Sequence, residues 1–161
     1  MSGETISAGF DRVRALLAEL GHPHAPVWLE QAVRTCAQAA QALGVAEGQI
    51  AKSVIFRRAA DDRAVLVIAS GDRRVDEAKV GALSGELRRA DAVFVKAATG
   101  FAIGGVAPVG HAQAPVVFID EDLQRFDEVW AAAGHPNGVF KASPAQLSAL
   151  AGAAFADVSS G

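Results

Sequence analysis

A glycine-rich segment in the second half of the chain is the stretch best suited to chemistry. Residues 100–111 run Gly-Phe-Ala-Ile-Gly-Gly-Val-Ala-Pro-Val-Gly-His, with four glycines in twelve positions. Glycine reaches positive φ and leaves its N–H exposed, so the pair Gly104 and Gly105 can aim main-chain donors at a carbonyl or anionic oxygen. Such donors form an oxyanion hole, which stabilises the charge that develops when an ester is attacked. A tight corner between strands is the structural alternative for the same glycines.

A lysine interrupts the apolar face of a predicted strand. Residues 49–56 run Gln-Ile-Ala-Lys-Ser-Val-Ile-Phe, and the period of two puts Lys52 in one row with Ile50, Val54 and Phe56. A strand lysine often carries its ammonium out to water, and the alternative is a cation that serves a binding site. Ser53 falls on the opposite face unless a bulge intervenes.

Residue types that would support other hydrolytic mechanisms are missing from the sequence. No Gly-x-Ser-x-Gly segment is present, and the single cysteine, Cys36, lies in an alanine-rich helical pattern typical of a small core residue. The four histidines have no zinc-ligand spacing. We therefore expect no protein nucleophile, no metal and no cofactor. What remains is a site of one lysine and main-chain donors, with or without a histidine, which suits an ester that its leaving group already activates.

Three collinear segments resemble one known family. Lys52-Ser53, residues 99–108 (Thr-Gly-Phe-Ala-Ile-Gly-Gly-Val-Ala-Pro) and Gly134-His135-Pro136 occur in an order and spacing similar to the YbaK/ProX/EbsC family. Its members are free-standing relatives of the editing domain of bacterial prolyl-tRNA synthetases, and the resemblance covers roughly residues 28 to 158. It implies hydrolysis in trans of mischarged aminoacyl-tRNA, generally tRNA(Pro), assisted by a ribose hydroxyl or by the amino acid's own thiol.

The resemblance also implies roles for individual residues. Lys52 would hold the terminal ribose and phosphate or the aminoacyl carbonyl, Ser53 would bear on which acyl group is accepted, and His135 would line the acyl pocket. The predicted catalytic set is Lys52, Gly104 and Gly105. The predicted substrate-binding set is Ser53, Thr99, Phe101, Ile103, Pro108 and His135. We assign His111, at the end of the glycine segment, to loop structure.

Local patterns predict the secondary structure. We expect helices from the Ser7 cap to Leu20 and over 29–43, 76–83, 85–90 and the segment after Ser143. We expect strands over 50–57, 64–69, 92–96, 116–119 and 156–158, with a hairpin of 129–133 and 139–142 whose Asn137-Gly138 supplies positive φ angles. Helices and strands do not alternate regularly, which predicts an α+β fold with a mixed, mainly antiparallel sheet. The resemblance adds that this sheet is curved and barrel-like, with helices around it.

Length and composition limit the function classes. The chain has 161 residues, 51% hydrophobic and 20% charged, which predicts one globular domain over residues 1–161. No apolar run approaches a membrane span, and Met1–Thr5 has no feature of a signal peptide, so we expect a cytoplasmic protein that does not contact membranes. The net charge of −3 and the lack of a recognition helix argue against a DNA-binding protein.

Two functions and one local surface remain open at this point. The chain is either a deacylase acting on the acceptor end of aminoacyl-tRNA, or a non-catalytic module that binds an aminoacyl or nucleotide end and associates with a prolyl-tRNA synthetase. The acyl group removed is small (alanine, cysteine, 2-aminobutyrate or similar) but otherwise unspecified. Phosphates of the tRNA would contact a local patch of Arg57, Arg58, Arg73 and Arg74, for which scattered solvated charges are the alternative.

Overall fold

The computed structural model describes residues 7–31 and 33–161. The expectations for Met1–Thr5, and for Ala32 within the predicted helix 29–43, lie outside the described residues. No helix within these ranges has the length and apolar character that crossing a membrane requires.

Five helices and ten strands are assigned in the described ranges. The helices are α1 (Ala8–Glu19), α2 (Cys36–Leu43), α3 (Glu77–Ser84), α4 (Ala92–Thr99) and α5 (Pro144–Ala151), with 3₁₀ turns at Glu47–Gln49 and Glu121–Arg125. The strands are β1 (Val27–Trp28), β2 (Ile50–Arg58), β3 (Ala64–Ser70), β4 (Arg74–Val75), β5 (Leu87–Arg89), β6 (Val116–Asp120), β7 (Val129–Ala132), β8 (Gly138–Ala142), β9 (Phe155–Ala156) and β10 (Ser159–Ser160).

The main sheet is mixed, with antiparallel pairs in the majority. Its order is β1-β8-β7-β2-β3-β6-β9, and β5 lies beside β2, while β4 and β10 form a separate pair. The β2–β7, β3–β6 and β6–β9 pairs are parallel, and the remaining pairs are antiparallel. All of β3 is buried, which explains its unbroken apolar sequence. The predicted α+β class with a mixed, mainly antiparallel sheet is confirmed.

Strand β2 has one continuous edge and one divided edge. Along the continuous edge it pairs with β3 from Ala51 to Arg57. On the other edge it pairs with β7 only at Ile50 and Ala51, and with β5 only from Phe56 onward. Residues 52–55 therefore have no strand partner on that side, and the sheet is split there. Peptide groups of alternate residues face this gap.

Capping residues fix the helices that flank the sheet. Ser7 begins α1 by accepting a hydrogen bond from the Phe10 N–H (3.1 Å), as predicted. Ser143 begins α5 in a reciprocal capping arrangement with Gln146, also as predicted. These side-chain oxygens satisfy amide groups that the first helical turn leaves unpaired. The strands predicted at 50–57, 64–69 and 116–119, the helix predicted at 76–83 and the hairpin strands are confirmed within two residues.

Three local predictions are wrong. In each case strand pairing or a helix cap outweighs the secondary structure that the periodicity of apolar residues predicts. The helix predicted over 29–43 begins only at Cys36, since Thr35 caps it and Val27–Trp28 pairs with β8. The segment 85–90 contains strand β5 instead of a helix, because it pairs with the end of β2. Segment 92–96 is helical because Asp91 accepts a hydrogen bond from the Phe94 N–H at 2.8 Å.

Two further expectations need smaller corrections. The β7–β8 turn places its positive φ at Gly134 (87°), whereas Asn137 and Gly138 have none. Its closing hydrogen bond runs from the Gly138 N–H to the His135 carbonyl (2.9 Å), with Pro136 following His135. Proline fixes φ near −65° and favours that position of a turn. The closing strand predicted at 156–158 is β9, at Phe155–Ala156.

Candidate functional site

A small cavity opens where β2 separates from β7. Its volume is about 160 Å³. Its walls come from β2, β7, the start of β8, the glycine segment and the N-terminal part of α2. The lining side chains are mostly apolar, and they include Val106, Trp130, Ala131, Pro136 and Val139 together with Lys52, Ser53 and Cys36. The divided edge of β2 therefore places the predicted lysine at a concave, mainly apolar site.

Lys52 lies between this cavity and a more polar groove beside it. The groove is lined by Val54 and Phe56 of β2 and by the segment around Arg74. The Lys52 ammonium donates a hydrogen bond of 2.5 Å to the Arg73 carbonyl, which fixes its direction. An ammonium has three donors, so two remain for a bound molecule. The lysine is thus held by the main chain, and it forms no ion pair with a carboxylate in the described part of the chain.

Ser53 lines the same cavity although it alternates with Lys52 along the strand. Both reach it because the cavity lies at the strand edge, where neither face is covered by β7. The Ser53 hydroxyl is buried and has no hydrogen-bond partner among the described residues. A buried hydroxyl without a partner is costly. It is therefore suited to bind a polar group that enters the cavity.

Gly104 and Gly105 lie in one turn, and only the Gly105 N–H is used in a backbone hydrogen bond of that turn. Gly104 has φ of 90°, and the Gly105 N–H donates to the Ala102 carbonyl at 3.0 Å, which closes the turn. This conformation at the third turn residue favours glycine. The expectation of two free donors is therefore corrected, because the turn itself occupies the Gly105 N–H. Gly104 lines the cavity, and its N–H donates to no backbone carbonyl among the described residues.

Gly105 is held against the turn that carries His135. A Cβ on Gly105 would lie 2.7 Å from the His135 Cα and 2.8 Å from its N. The His135 ring packs on Trp28, with the ring centroids 4.7 Å apart, and its Nδ1 accepts from the Asn137 N–H at 3.0 Å. In the neutral ring this leaves the proton on Nε2. His135 thus fixes the glycine turn through its backbone, while the adjacent Pro136 lines the cavity.

Four other predicted binding residues lie outside the cavity wall. The buried Thr99 hydroxyl donates to the Val95 carbonyl (2.7 Å) and accepts from the Phe101 N–H (3.0 Å). Phe101 is 1% exposed, with the Arg12 guanidinium 4.3 Å from its ring centroid. Pro108 lines a separate depression between α1 and α5, and Ile103 is 58% exposed beside Gly104. Thr99 and Phe101 therefore anchor the glycine segment from within the core.

His111 has a structural environment, as the sequence predicts. Its Nε2 lies 2.6 Å from the Ala107 carbonyl oxygen, across one turn of the glycine segment. Burial lowers the pKa of the imidazole, against the smaller opposing effect of that carbonyl. The ring is therefore neutral at neutral pH and joins two parts of the segment.

Cys36 belongs to the cavity wall and not to the core interior that its pattern predicts. It begins α2 and is half-buried. Burial raises the pKa of the thiol, and the smaller effect of Lys52 opposes this. A thiol that stays protonated at neutral pH is a poor nucleophile.

Trp130 also lines the cavity, and the sequence did not predict it. Its position depends on the parallel β2–β7 register, which no local pattern reveals.

The four arginines of the predicted patch lie in two separate places. Arg57 pairs with Ala64 at one end of the β2–β3 ladder, and Arg73 follows the other end, where Ala51 pairs with Ser70. Six residues at about 3.4 Å each separate these ends by about 20 Å. The described residues therefore hold no single patch of Arg57, Arg58, Arg73 and Arg74.

The described residues contain no group of three or more His, Cys, Asp or Glu arranged to hold a metal ion.

Comparison with known proteins agrees with this geometry. A family model described as an aminoacyl-tRNA editing domain matches residues 30–150. The uncharacterized protein YwhH of Bacillus subtilis (strain 168) is 38% identical over 120 residues, covering 74% of this chain and 76% of YwhH. The proline–tRNA ligase of Lactobacillus helveticus (strain DPC 4571) is 33% identical over 109 residues, which are 66% of this chain but only 19% of the ligase.

One solved structure is similar over nearly the whole chain. It is described as a candidate trans-editing enzyme for prolyl tRNA synthetase, and it superposes with a TM-score of 0.90 at 42% identity. The match covers 98% of this chain and 100% of that chain. The match therefore extends over most of the chain.

The contact between Gly105 and His135 leads to a prediction about stability. We expect Gly105→Ala to lower the free energy of unfolding by about 1–3 kcal/mol, because the new methyl group meets backbone that cannot rotate away. Gly81→Ala, in α3 with no atom within 4 Å of the added Cβ, is the matched control and should be neutral or stabilising. Urea unfolding of both variants measures this. Equal stability of the two would contradict the tight contact.

Proposed function

Because this chain belongs to the aminoacyl-tRNA editing domain family, we propose that it is a trans-acting deacylase that hydrolyses the ester of mischarged tRNA. The similarity to proline–tRNA ligases supports tRNA(Pro) as the tRNA and a prolyl-tRNA synthetase as the partner enzyme. The ligase as a whole is about five times longer than the matched region, so the proposal extends to none of its other activities.

The observation that carries this proposal is the cavity at the split edge of β2. About 160 Å³ is close to the volume of a cavity that holds a benzene-sized group, and the walls are mainly apolar. A small aminoacyl side chain fits such a space. We therefore propose alanine, cysteine, 2-aminobutyrate or a residue of similar size as the acyl group. An apolar site of this kind discriminates poorly among small groups that differ by one methylene.

The proposed reaction uses the main chain and Lys52 to stabilise charge. Water attacks the ester carbonyl carbon, the bond from that carbon to the ribose oxygen breaks, and the ribose oxygen takes a proton. The products are a free amino acid and a tRNA with both terminal hydroxyls. The carbonyl oxygen becomes negative on the way, and we assign its stabilisation to the Gly104 N–H and the Lys52 ammonium, since both residues line the cavity.

No general base of the protein is needed in this proposal. Cys36, with its raised pKa, stays a thiol, and the His135 ring packs on Trp28 with its Nδ1 already accepting a hydrogen bond. The vicinal ribose hydroxyl of the substrate is then the group that orients the water. Such assistance suffices for an aminoacyl ester, which its leaving group already activates.

Replacing Lys52 tests the charge-stabilising role. We expect Lys52→Ala to lower the single-turnover rate of deacylation by about 10²–10³-fold, the usual effect of removing one oxyanion donor. Lys79→Ala, which removes a partly exposed ammonium paired with Asp157, is the control and should keep the parent rate. Release of labelled amino acid from mischarged tRNA(Pro) is the measurement. A Lys52→Ala rate equal to the parent would remove the lysine from the mechanism.

The same assay separates the deacylase from the binding module. A panel of tRNA(Pro) charged with alanine, cysteine, 2-aminobutyrate and proline is incubated with the parent protein. Hydrolysis of at least one small acyl group is expected. Binding of all four without release would instead identify a non-catalytic module.

The unpartnered hydroxyl of Ser53 gives a prediction with opposite effects on stability and activity. Ser53→Ala should leave the free energy of unfolding unchanged or raise it by about 1–2 kcal/mol, because a buried orphan donor disappears. The kcat/KM for the preferred substrate should fall by about tenfold, because one hydrogen bond to the substrate is removed. Thermal unfolding and deacylation rates are compared with Ser84→Ala, a control at the end of α3 and outside the cavity wall. Lower stability with unchanged activity would assign the Ser53 hydroxyl to the fold.

A further inference from the structure

Strand β5 closes the far end of the split in the sheet. Since β3 occupies one edge of β2 along its length, β7 and β5 both lie on the other edge. The cavity lies at the β7 end of residues 52–55, and β5 begins to pair at Phe56. The residues of β5 therefore lie at the opposite end of the split from the cavity.

Arginines from the two strands face each other at this end. Arg57 lies directly opposite Arg88 on one face of this pair, and Arg89 lies opposite Phe56 on the other face, so this edge of the sheet carries arginine on both faces. Like charges opposite each other destabilise an antiparallel pair. Arg88 and Arg89 are exposed and form no ion pair among the described residues. The pairing therefore brings positive charges together at a cost in stability, and the pairing of β2 with β5 does not itself need these charges.

Arg57 is also incompletely satisfied by its neighbours. Its Nε lies 3.4 Å from the Asp62 carboxylate but is buried without a hydrogen-bond partner among the described residues. Its guanidinium stands 5.6 Å from the centroid of the Phe94 ring, which holds it in place at the sheet edge. A positioned guanidinium with an unsatisfied donor and a second arginine opposite is suited to bind an anion.

The other arginines nearby already have carboxylate partners. Arg58 makes two hydrogen bonds to Asp61, and these hold the pKa of that carboxyl at about 2. Arg73, at the opposite end of β2, pairs with Asp122 at 3.1 Å. Two further carboxylates are near β5 in the sequence: Glu86 directly precedes it, and Asp91 caps α4. Arg88 and Arg89 thus have no ion-pair partner among the described residues, and Arg57 has only the long contact with Asp62.

We propose that Arg57, Arg88 and Arg89, here called the β5 ridge, bind phosphates of the tRNA strand that leads to the esterified nucleotide. Five residues at about 3.4 Å each place the ridge about 17 Å from Lys52 along β2. A stacked strand advances about 3.4 Å per nucleotide, so this distance spans about five nucleotides. A single nucleotide esterified at the cavity does not reach the ridge. The inference rests on the proposed function, because it takes tRNA as the substrate.

Binding of uncharged tRNA tests the ridge without requiring catalysis. Affinities of the parent, Arg88→Glu and Arg89→Glu for uncharged tRNA(Pro) are measured over a series of salt concentrations. Each variant should bind more weakly, and the slope of log K against log[salt] should become shallower by about 0.7–0.9 for each phosphate that the variant no longer neutralises. Arg14→Glu, the same charge change at an exposed site on α1, should alter that slope less.

A stability measurement accompanies the binding series. Replacing Arg88 with glutamate puts a carboxylate opposite Arg57, so thermal stability should stay level or rise while tRNA binding falls. An arginine with a merely structural role would instead lose stability. Arg88→Glu and Arg89→Glu proteins with the parent affinity and salt slope would overturn the ridge, as would a parent protein that does not bind tRNA(Pro).

The failure of this inference and that of the proposed function are distinguishable. Absence of deacylation by the parent on every charged tRNA removes the enzymatic proposal, yet the binding series still decides whether the ridge contacts phosphates. Conversely, a parent that hydrolyses its substrate while both ridge variants bind tRNA normally keeps the enzyme and removes the ridge.

Discussion

The divided pairing of β2 is the constraint on which the site depends. Two residues of parallel pairing with β7 end at Ala51, and β5 takes over only at Phe56. The intervening residues carry no strand partner on that edge, so Lys52 and Ser53 reach one cavity despite their alternation along the strand. Full pairing of β7 along β2 would fill the space that we assign to the acyl group. The continuous ladder with the fully buried β3 holds the divided strand in the sheet on its other edge.

The second wall depends on a contact between two segments far apart in sequence. Gly105 packs on the backbone of His135, and Gly104 of the same turn faces the cavity. Thr99 holds the start of this segment through hydrogen bonds inside the core. The glycine segment therefore derives its position from buried side chains and supplies mainly backbone to the site. This explains why several of its side chains do not line the cavity.

Local patterns predicted part of this arrangement. The alternation around Lys52, the caps at Ser7 and Ser143 and the two strands of the β7–β8 hairpin follow from short-range rules and are confirmed, whereas the conformation predicted for the hairpin turn is wrong. The sequence does not reveal that the Gly105 N–H closes its own turn, that Trp130 lies beside Ile50, or that Arg88 faces Arg57. The positions of Trp130 and Arg88 depend on a pairing register between distant segments. The hydrogen bond of the Gly105 N–H depends on the conformation of a loop that is anchored in the core. Segment 92–96 departs from its predicted strand because an apolar run suits both a strand and a buried helix turn, and the Asp91 cap decides between them.

The most direct test of the assignment of the split edge to the aminoacyl end is a crystal structure with a stable amide analogue of 3′-alanyl-adenosine. We expect the alanyl group in the cavity beside Ser53, its carbonyl oxygen within hydrogen-bond distance of the Gly104 N–H, and Lys52 in contact with the ribose or the carbonyl. An analogue bound in another part of the protein, with the cavity at β2 and β7 empty, would contradict this assignment.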